Sequence, residues 1–279
     1  MAVRTSLVLV PLPLFLFSPP ASRFPLPSSR LKEFPVFTSA QSMNDELTER
    51  YRAAFESWPA VANLHHSISQ PQLMRIPDSY VSSDVRLMIV GQETGAWGRD
   101  EDPTTEQGRN ELRNEYTDFD LALKTTWRTS PFWEAAYQIR DRLNPGGAEN
   151  GFLWTNLIPV SEQLPSGRFG RPSSAVADAV CALGLVAAEI EIARPHVVVF
   201  FTGKSRDEVI RRAFPGVSFI DVAQDIVSVK GLPGAPVAYR TEHPHTLWRM
   251  KRESVIDQIA NLALQAMTAS KGERAEVLS

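Results

Sequence analysis

The chain has 279 residues, 43% hydrophobic and 22% charged, with 29 basic and 32 acidic residues for a net charge of −3. This is the composition of a globular protein with a sizeable core, and its acidic balance excludes a protein that coats nucleic acid by charge alone, though not a local basic patch. Its one cysteine, Cys181, excludes an intrachain disulfide framework and a multi-cysteine metal site; no metal and no cofactor are expected.

Residues 1–42 differ in character from the rest of the chain. Arg4 precedes an apolar run, Leu7 to Phe17, that looks like a signal-peptide h-region. Pro11 and Pro13 interrupt it, and Pro19, Pro20, Pro25, Pro27 and Pro35 come after it. Proline at this density prevents a stable helix, and the run is too short to span a bilayer. Three readings stand: a cleaved secretory signal, a Pro-rich leader or organelle-targeting segment without fixed structure, and a mis-assigned start with the protein beginning at Met43. The last is taken forward, with a cytoplasmic, monomeric protein and no membrane segment as its corollary. Four basic residues and one acidic residue precede Met43, so the chain from there on carries a net charge of −6.

A single domain is expected over 43–270. It opens with an amphipathic helix in which Leu47, Tyr51 and Phe55 share a face. Residues 59–84 hold Pro59, Pro71 and Pro77 and read as a connection. Val85 to Val90 is a buried strand that breaks on Gly91 and delivers Gln92, Glu93, Thr94 and Gly95. A polar stretch, 99–130, reads as a long irregular connection of the kind that often touches substrate. Pro131 starts a helix carrying Phe132, Ala136, Ile139 and Leu143, which ends at Asn144-Pro145-Gly146-Gly147. A second strand covers 151–157, and 161–172 forms a loop. One long apolar helix is expected from Ser173 or Ser174 to Pro195, with Cys181 as a small core residue. His196 to Phe201 is a strand covered on both faces. Thr202-Gly203-Lys204 leads into a helix ending near Phe214. Segments 217–220 and 226–229 are weaker strand candidates, 236–241 is the last strand, and a closing helix is expected over 246–267. Strands alternating with helices imply an α/β fold, a three-layer α/β/α sandwich with a mainly parallel four-stranded central sheet.

Polar residues recur at the carboxyl ends of these strands: Gln92 and Glu93, Thr155 and Asn156, Thr202 to Lys204, and Glu242, His243 and His245. In a parallel sheet these ends open on one edge, where α/β proteins bind ligands. Each has a plainer alternative: Glu93 on an ordinary strand exit, Asn156 as a turn residue, His243 as a structural histidine, Lys204 in solvent. Their joint placement favours a site.

Four segments, in order, resemble the uracil-DNA glycosylase superfamily. GQETG at 91–95 is similar to its first motif, G-Q-D-P-Y-H in one branch and G-E-x-P-G in others. LWTNLIP at 153–159 resembles the strand whose asparagine reads uracil, ARPHVVVFFTGK at 193–204 a later strand, and YRTEHPHTLWR at 239–249 the H-P-S motif with its loop and helix. The resemblance covers about residues 85–265. It implies a base-excision DNA repair enzyme that hydrolyses the N-glycosidic bond of a deaminated or damaged base, with single- or double-stranded DNA and a flipped base as partner. Carried over by position, Glu93 falls at or beside the water-activating acid. Asn156 falls on the base-reading asparagine and His243 on the histidine that supports the departing base. Gln92 would lend a backbone N–H to the pocket.

The chain departs from that pattern in several places. Glu93 replaces an aspartate and Thr94 a proline. Gly95 stands where one branch has the tyrosine that excludes thymine's methyl, so the resemblance carries no selectivity against thymine. His245 replaces the serine of H-P-S. The iron–sulfur branch needs four cysteines, and this chain has one. The stacking aromatic is open among Trp127, Phe132, Trp97 and Phe119.

The chemistry fits those residue types. Breaking an N-glycosidic bond builds positive charge on the sugar and negative charge on the base. A carboxylate positions water and offsets the first; histidine and backbone N–H groups stabilise the second. An asparagine amide has acceptor and donors for uracil N3–H and O4. The base must leave the duplex first. Lys204, Arg249, Lys251 and Arg252 are candidates for phosphate contacts, the last three with a solvated helix face as the alternative. Two other functions remain: a nucleobase- or nucleic-acid-binding module of the same fold without hydrolysis, and a small-nucleoside hydrolase.

Overall fold

A computed structural model describes residues 39–64, 67–98, 100–119 and 130–277, with side chains through 269. The leader up to residue 38 lies outside the described residues. Helix α1 (Ala40–Phe55) begins before Met43. The Ser39 hydroxyl caps it, accepting from the Ser42 N–H at 3.2 Å. Ala40 is buried with Met43, Leu47, Tyr51 and Phe55 along one face. The boundary expected at 42/43 thus falls inside the first helical turn.

Two short helices, α2 (Trp58–Ala62) and α3 (Asp78–Val81), sit in the proline-bearing connection. Strand β1 (Leu87–Glu93) comes next. Helix α4 (Glu106–Asp118), capped by Thr105 on the Gly108 N–H at 3.0 Å, occupies part of the expected irregular stretch. Helix α5 (Pro131–Leu143) opens on proline, whose missing N–H has no intrahelical partner to lose. Strand β2 (Phe152–Ile158) is buried throughout. A small antiparallel pair, β3 (Glu162–Gln163) and β4 (Phe169–Gly170), lies within the expected loop. The one long apolar helix is in fact two, α6 (Ser174–Ala182) and α7 (Leu185–Ala193). Gly184 separates them at φ 68, a left-handed conformation that continues no helix.

Strand β5 (Val197–Phe200) leads through a 3₁₀ turn, Lys204–Arg206, into α8 (Asp207–Ala213). Strands β6 (Ser218–Ala223), β7 (Ile226–Lys230) and β8 (Val237–Arg240) come after it. The closing helix is also two, α9 (Pro244–Arg249) and α10 (Ser254–Val277), broken where Lys251 takes φ 56.

The main sheet has the order β2-β1-β5-β8-β7-β6. Its first four strands are parallel, as expected, but β7 runs antiparallel to β8 and β6 antiparallel to β7. The sheet is six-stranded and mixed, not four-stranded. The two added strands are the weak candidates of the sequence. β6 reads weakly because it is an outer strand that leaves Ile220 and Val222 exposed and so lacks a buried alternation.

The layering is set by β2. Successive side chains point to opposite faces. Thr155 meets Glu189 of α7, whereas Trp154 packs on Trp133 of α5. Helices α5 and α7 therefore cover opposite faces, α10 packing beside α5 and α1 beside α7. A single hydrophobic cluster spans both. Among the described residues no helix is long and apolar enough to cross a membrane.

Candidate functional site

At the carboxyl edge of the parallel strands lies a cavity of about 350 Å³. Residues Gly91 to Trp97 leave β1 along one wall, Trp154 and Asn156 rise from β2, and Phe132 and Trp133 come from the start of α5. Phe119 and His243 close it. Six of the expected site residues thus converge from four segments: Gln92, Glu93, Gly95, Phe132, Asn156 and His243.

Asn156 and Trp154 are two apart on β2 and share its cavity face. Asn156 is the register partner of Gly91. A Cβ at Gly91 would collide with Asn156 Oδ1, so only glycine lets the amide lie over the neighbouring strand. The Asn156 Nδ2 donates to Oε1 of Gln72 at 2.7 Å. Around Gly95, by contrast, a Cβ would meet nothing within 4 Å.

Glu93 is not a lone carboxylate. Its Oε2 accepts from the guanidinium of Arg206, a residue only 3% exposed in the turn after β5. Gln92, pointing to the other side of β1, donates through Nε2 to the Thr202 carbonyl at 2.8 Å and fastens the ends of β1 and β5 together.

His243 is the N-cap of α9, and its Nδ1 accepts from the His245 N–H at 3.2 Å. In the neutral ring the proton then sits on Nε2. Burial, and secondarily the neighbouring His245, hold its pKa below the ordinary histidine value, so the ring is neutral at neutral pH. One ring face stacks on Phe132, centroids 5.9 Å apart at 27°. Of the four candidate stacking aromatics, Phe132, Trp97 and Phe119 line the cavity; Trp127 lies outside the described residues.

The expected basic residues are not at the cavity wall. Lys204 is exposed, its backbone N–H 3.3 Å from Glu242 Oε1. Arg249 and Lys251 are exposed beyond His243. Arg252, half-buried, is paired with Asp225 at 2.7 Å.

Three participants escaped the sequence. Trp154 carried a signal, alternation with Asn156 in FLWTNL. Arg206 carried a faint one, a cation in the turn after a strand that ends beside an acid. Gln72 carried none, since it lies in a segment without periodicity.

No protein-family model matches the chain, and no curated protein matches it.

The arrangement offers a flat aromatic surface, an amide with one acceptor and a spare donor hydrogen, a neutral imidazole donor and a carboxylate with one oxygen engaged. Among the described residues no group of three or more His, Cys, Asp or Glu is gathered to hold a metal. Cys181 is half-buried on α6, and burial pushes its thiol up to about 11, which leaves it inert.

Proposed function

We propose that this chain is a uracil-DNA glycosylase-like protein that receives a base flipped out of DNA and hydrolyses its N-glycosidic bond. The observation that carries the proposal is the convergence of Glu93, Asn156, His243 and Phe132 on one cavity. Phe132 offers its ring for stacking. Asn156 pairs with the edge of the base. The oxygen of Glu93 not bound by Arg206 orients a water towards the sugar carbon and offsets the charge that develops there. Nε2–H of neutral His243 donates to the carbonyl oxygen of the departing base, which leaves as an anion. DNA contact falls to the exposed stretch after His243, where Trp248 is 56% exposed between His245 and Arg249. An apolar side chain there suits insertion into a base step, and Arg249 and Lys251 suit phosphates.

The Glu93–Arg206 pair favours a second reading. A carboxylate with one oxygen engaged by a buried cation has less freedom to position water, which suits a module that binds a base without cleaving it. Gel assays on uracil, hypoxanthine and thymine-mismatch oligonucleotides separate the two. Release of any of these bases supports hydrolysis; binding without release supports the module.

A further inference from the structure

We propose that β6 is the interface of a two-fold dimer, in which the outer strands of two copies pair antiparallel with Ile220 opposite Ile220, in place of the monomer expected from the sequence. Among the described residues β6 has a strand neighbour on one side only, β7, and it closes the sheet at the end opposite β2. Its other side is a row of backbone N–H and C=O groups without a strand partner, which is a template for pairing with another chain. Ile220 and Val222 are 51% and 44% exposed on this strand. A bulge, here at Val222, and a charge, here Asp221, are devices that blunt such an edge in a monomer. On β6 the charge instead selects one pairing.

Before the bulge the strand is regular, with Ser218 to Asp221 in register with Lys230 to Val227 of β7. Successive side chains face opposite ways. Phe219 faces α8, because the Arg211 guanidinium lies over its ring at 4.8 Å. Asp221 shares that face, and Ile220 points to the other. A two-fold axis normal to the sheet keeps each face continuous, so only registers that oppose residues of the same face are open.

Three such registers centre on the regular part of the strand. Centring on Asp221 sets two carboxylates directly opposite, which is repulsive. Centring on Phe219 brings the two Arg211 guanidiniums together and leaves each Asp221 without a cation. Centring on Ile220 sets Asp221 of each copy opposite Phe219 of the other, against the Arg211 that covers that ring, and joins the two exposed Ile220 side chains. Arg211 also pairs with Glu208 of its own helix, but a guanidinium has five N–H donors and can serve both carboxylates. Charge thus meets opposite charge twice and apolar meets apolar on the axis, which is what commits the edge to a second copy of this chain.

The test is sedimentation of the full chain at rising concentration. The wild type is expected to dimerise. Asp221→Arg and Arg211→Asp each place like charges together twice, and each is expected to weaken association by about tenfold or more. The double variant exchanges the two charges and is expected to restore association. Both side chains are exposed, and circular dichroism checks that each variant is folded. A wild type that stays monomeric at about 100 μM overturns the proposal, as do single losses that the double variant does not recover. Cross-linking reads the register separately. Opposed Cα atoms of an antiparallel pair lie about 4.5–5.5 Å apart, within disulfide reach, so Ile220→Cys is expected to join two chains under mild oxidation. Val222→Cys is not, since its counterparts lie four residues out of register, roughly 13 Å apart. The wild type, with half-buried Cys181, gives the background. Equal cross-linking at both positions, or none at 220, overturns the proposal.

Discussion

The carboxylate of Glu93 is bound to the guanidinium of Arg206 at the rim of the cavity, and Arg206 is almost wholly out of solvent. The pair joins the end of β1 to the turn after β5. Removing the carboxylate strands a buried cation, which costs more than the attraction alone. Glu93→Ala should therefore destabilise the fold by about 3 kcal/mol, whereas Glu93→Gln keeps an acceptor for Arg206 and should cost clearly less. Urea midpoints of the two variants check this; an unchanged midpoint in Glu93→Ala would show that the pair does not bear on stability.

A second expectation concerns Gly91. A methyl group there occupies the place of Asn156 Oδ1, so Gly91→Ala should cost about 1–3 kcal/mol through overpacking. It should also displace the amide from the cavity. Adding Asn156→Ala should relieve the clash, so the double variant should be more stable than the sum of the two single effects implies. Simple additivity in thermal denaturation would contradict the contact.

His243 gives a pH signature. Its folded pKa is depressed, so its contribution to stability is present above the ordinary histidine value near 6.5 and is lost as pH falls through the lower folded value. By NMR its midpoint should lie below 6.5. Burial is the larger cause and His245 the smaller, so His245→Ala should move the midpoint up without restoring it fully. An unchanged midpoint in that variant would remove His245 as a cause.

Glu189 titrates in the opposite sense. Burial raises its pKa from 4.5 to about 7, against the hydrogen bonds from Tyr51 and Thr155 that favour the charged form. The raised value means that the folded state holds a proton the unfolded chain has released. Its stabilising effect is complete below pH 4.5, shrinks as pH rises, and is gone above about 7. The loss is on the order of 3 kcal/mol. Glu189→Gln should flatten the stability profile across that window, measured as urea midpoints at successive pH values; a profile as steep as the wild type's would contradict it.

The parallel half of the sheet was legible because β1, β2 and β5 are short apolar runs, and the carboxyl ends of β1, β2 and β8 put Glu93, Asn156 and His243 on one edge. The mixed half was obscured by β6, whose solvent-facing Ile220 and Val222 break the usual alternation. The split between α6 and α7 was hidden for another reason. Hydrophobic pattern runs straight through Gly184, and only its backbone conformation stops the helix. At the site, residues on strand ends were readable and their partners were not. Gln72 and Arg206 reach Asn156 and Glu93 across the fold, and sequence spacing carries no record of such pairings.

Under the proposed function the cavity hydrolyses the bond to a flipped base, with Glu93 as the group that orients water. Single-turnover release of uracil from a uracil-containing single strand tests it most directly, comparing wild type with Glu93→Gln, which preserves the contact to Arg206. Release by the wild type is expected, with a loss of about a hundredfold or more in Glu93→Gln and binding to the strand retained. Release undiminished in Glu93→Gln, or a wild type that binds the strand and releases nothing, would contradict it.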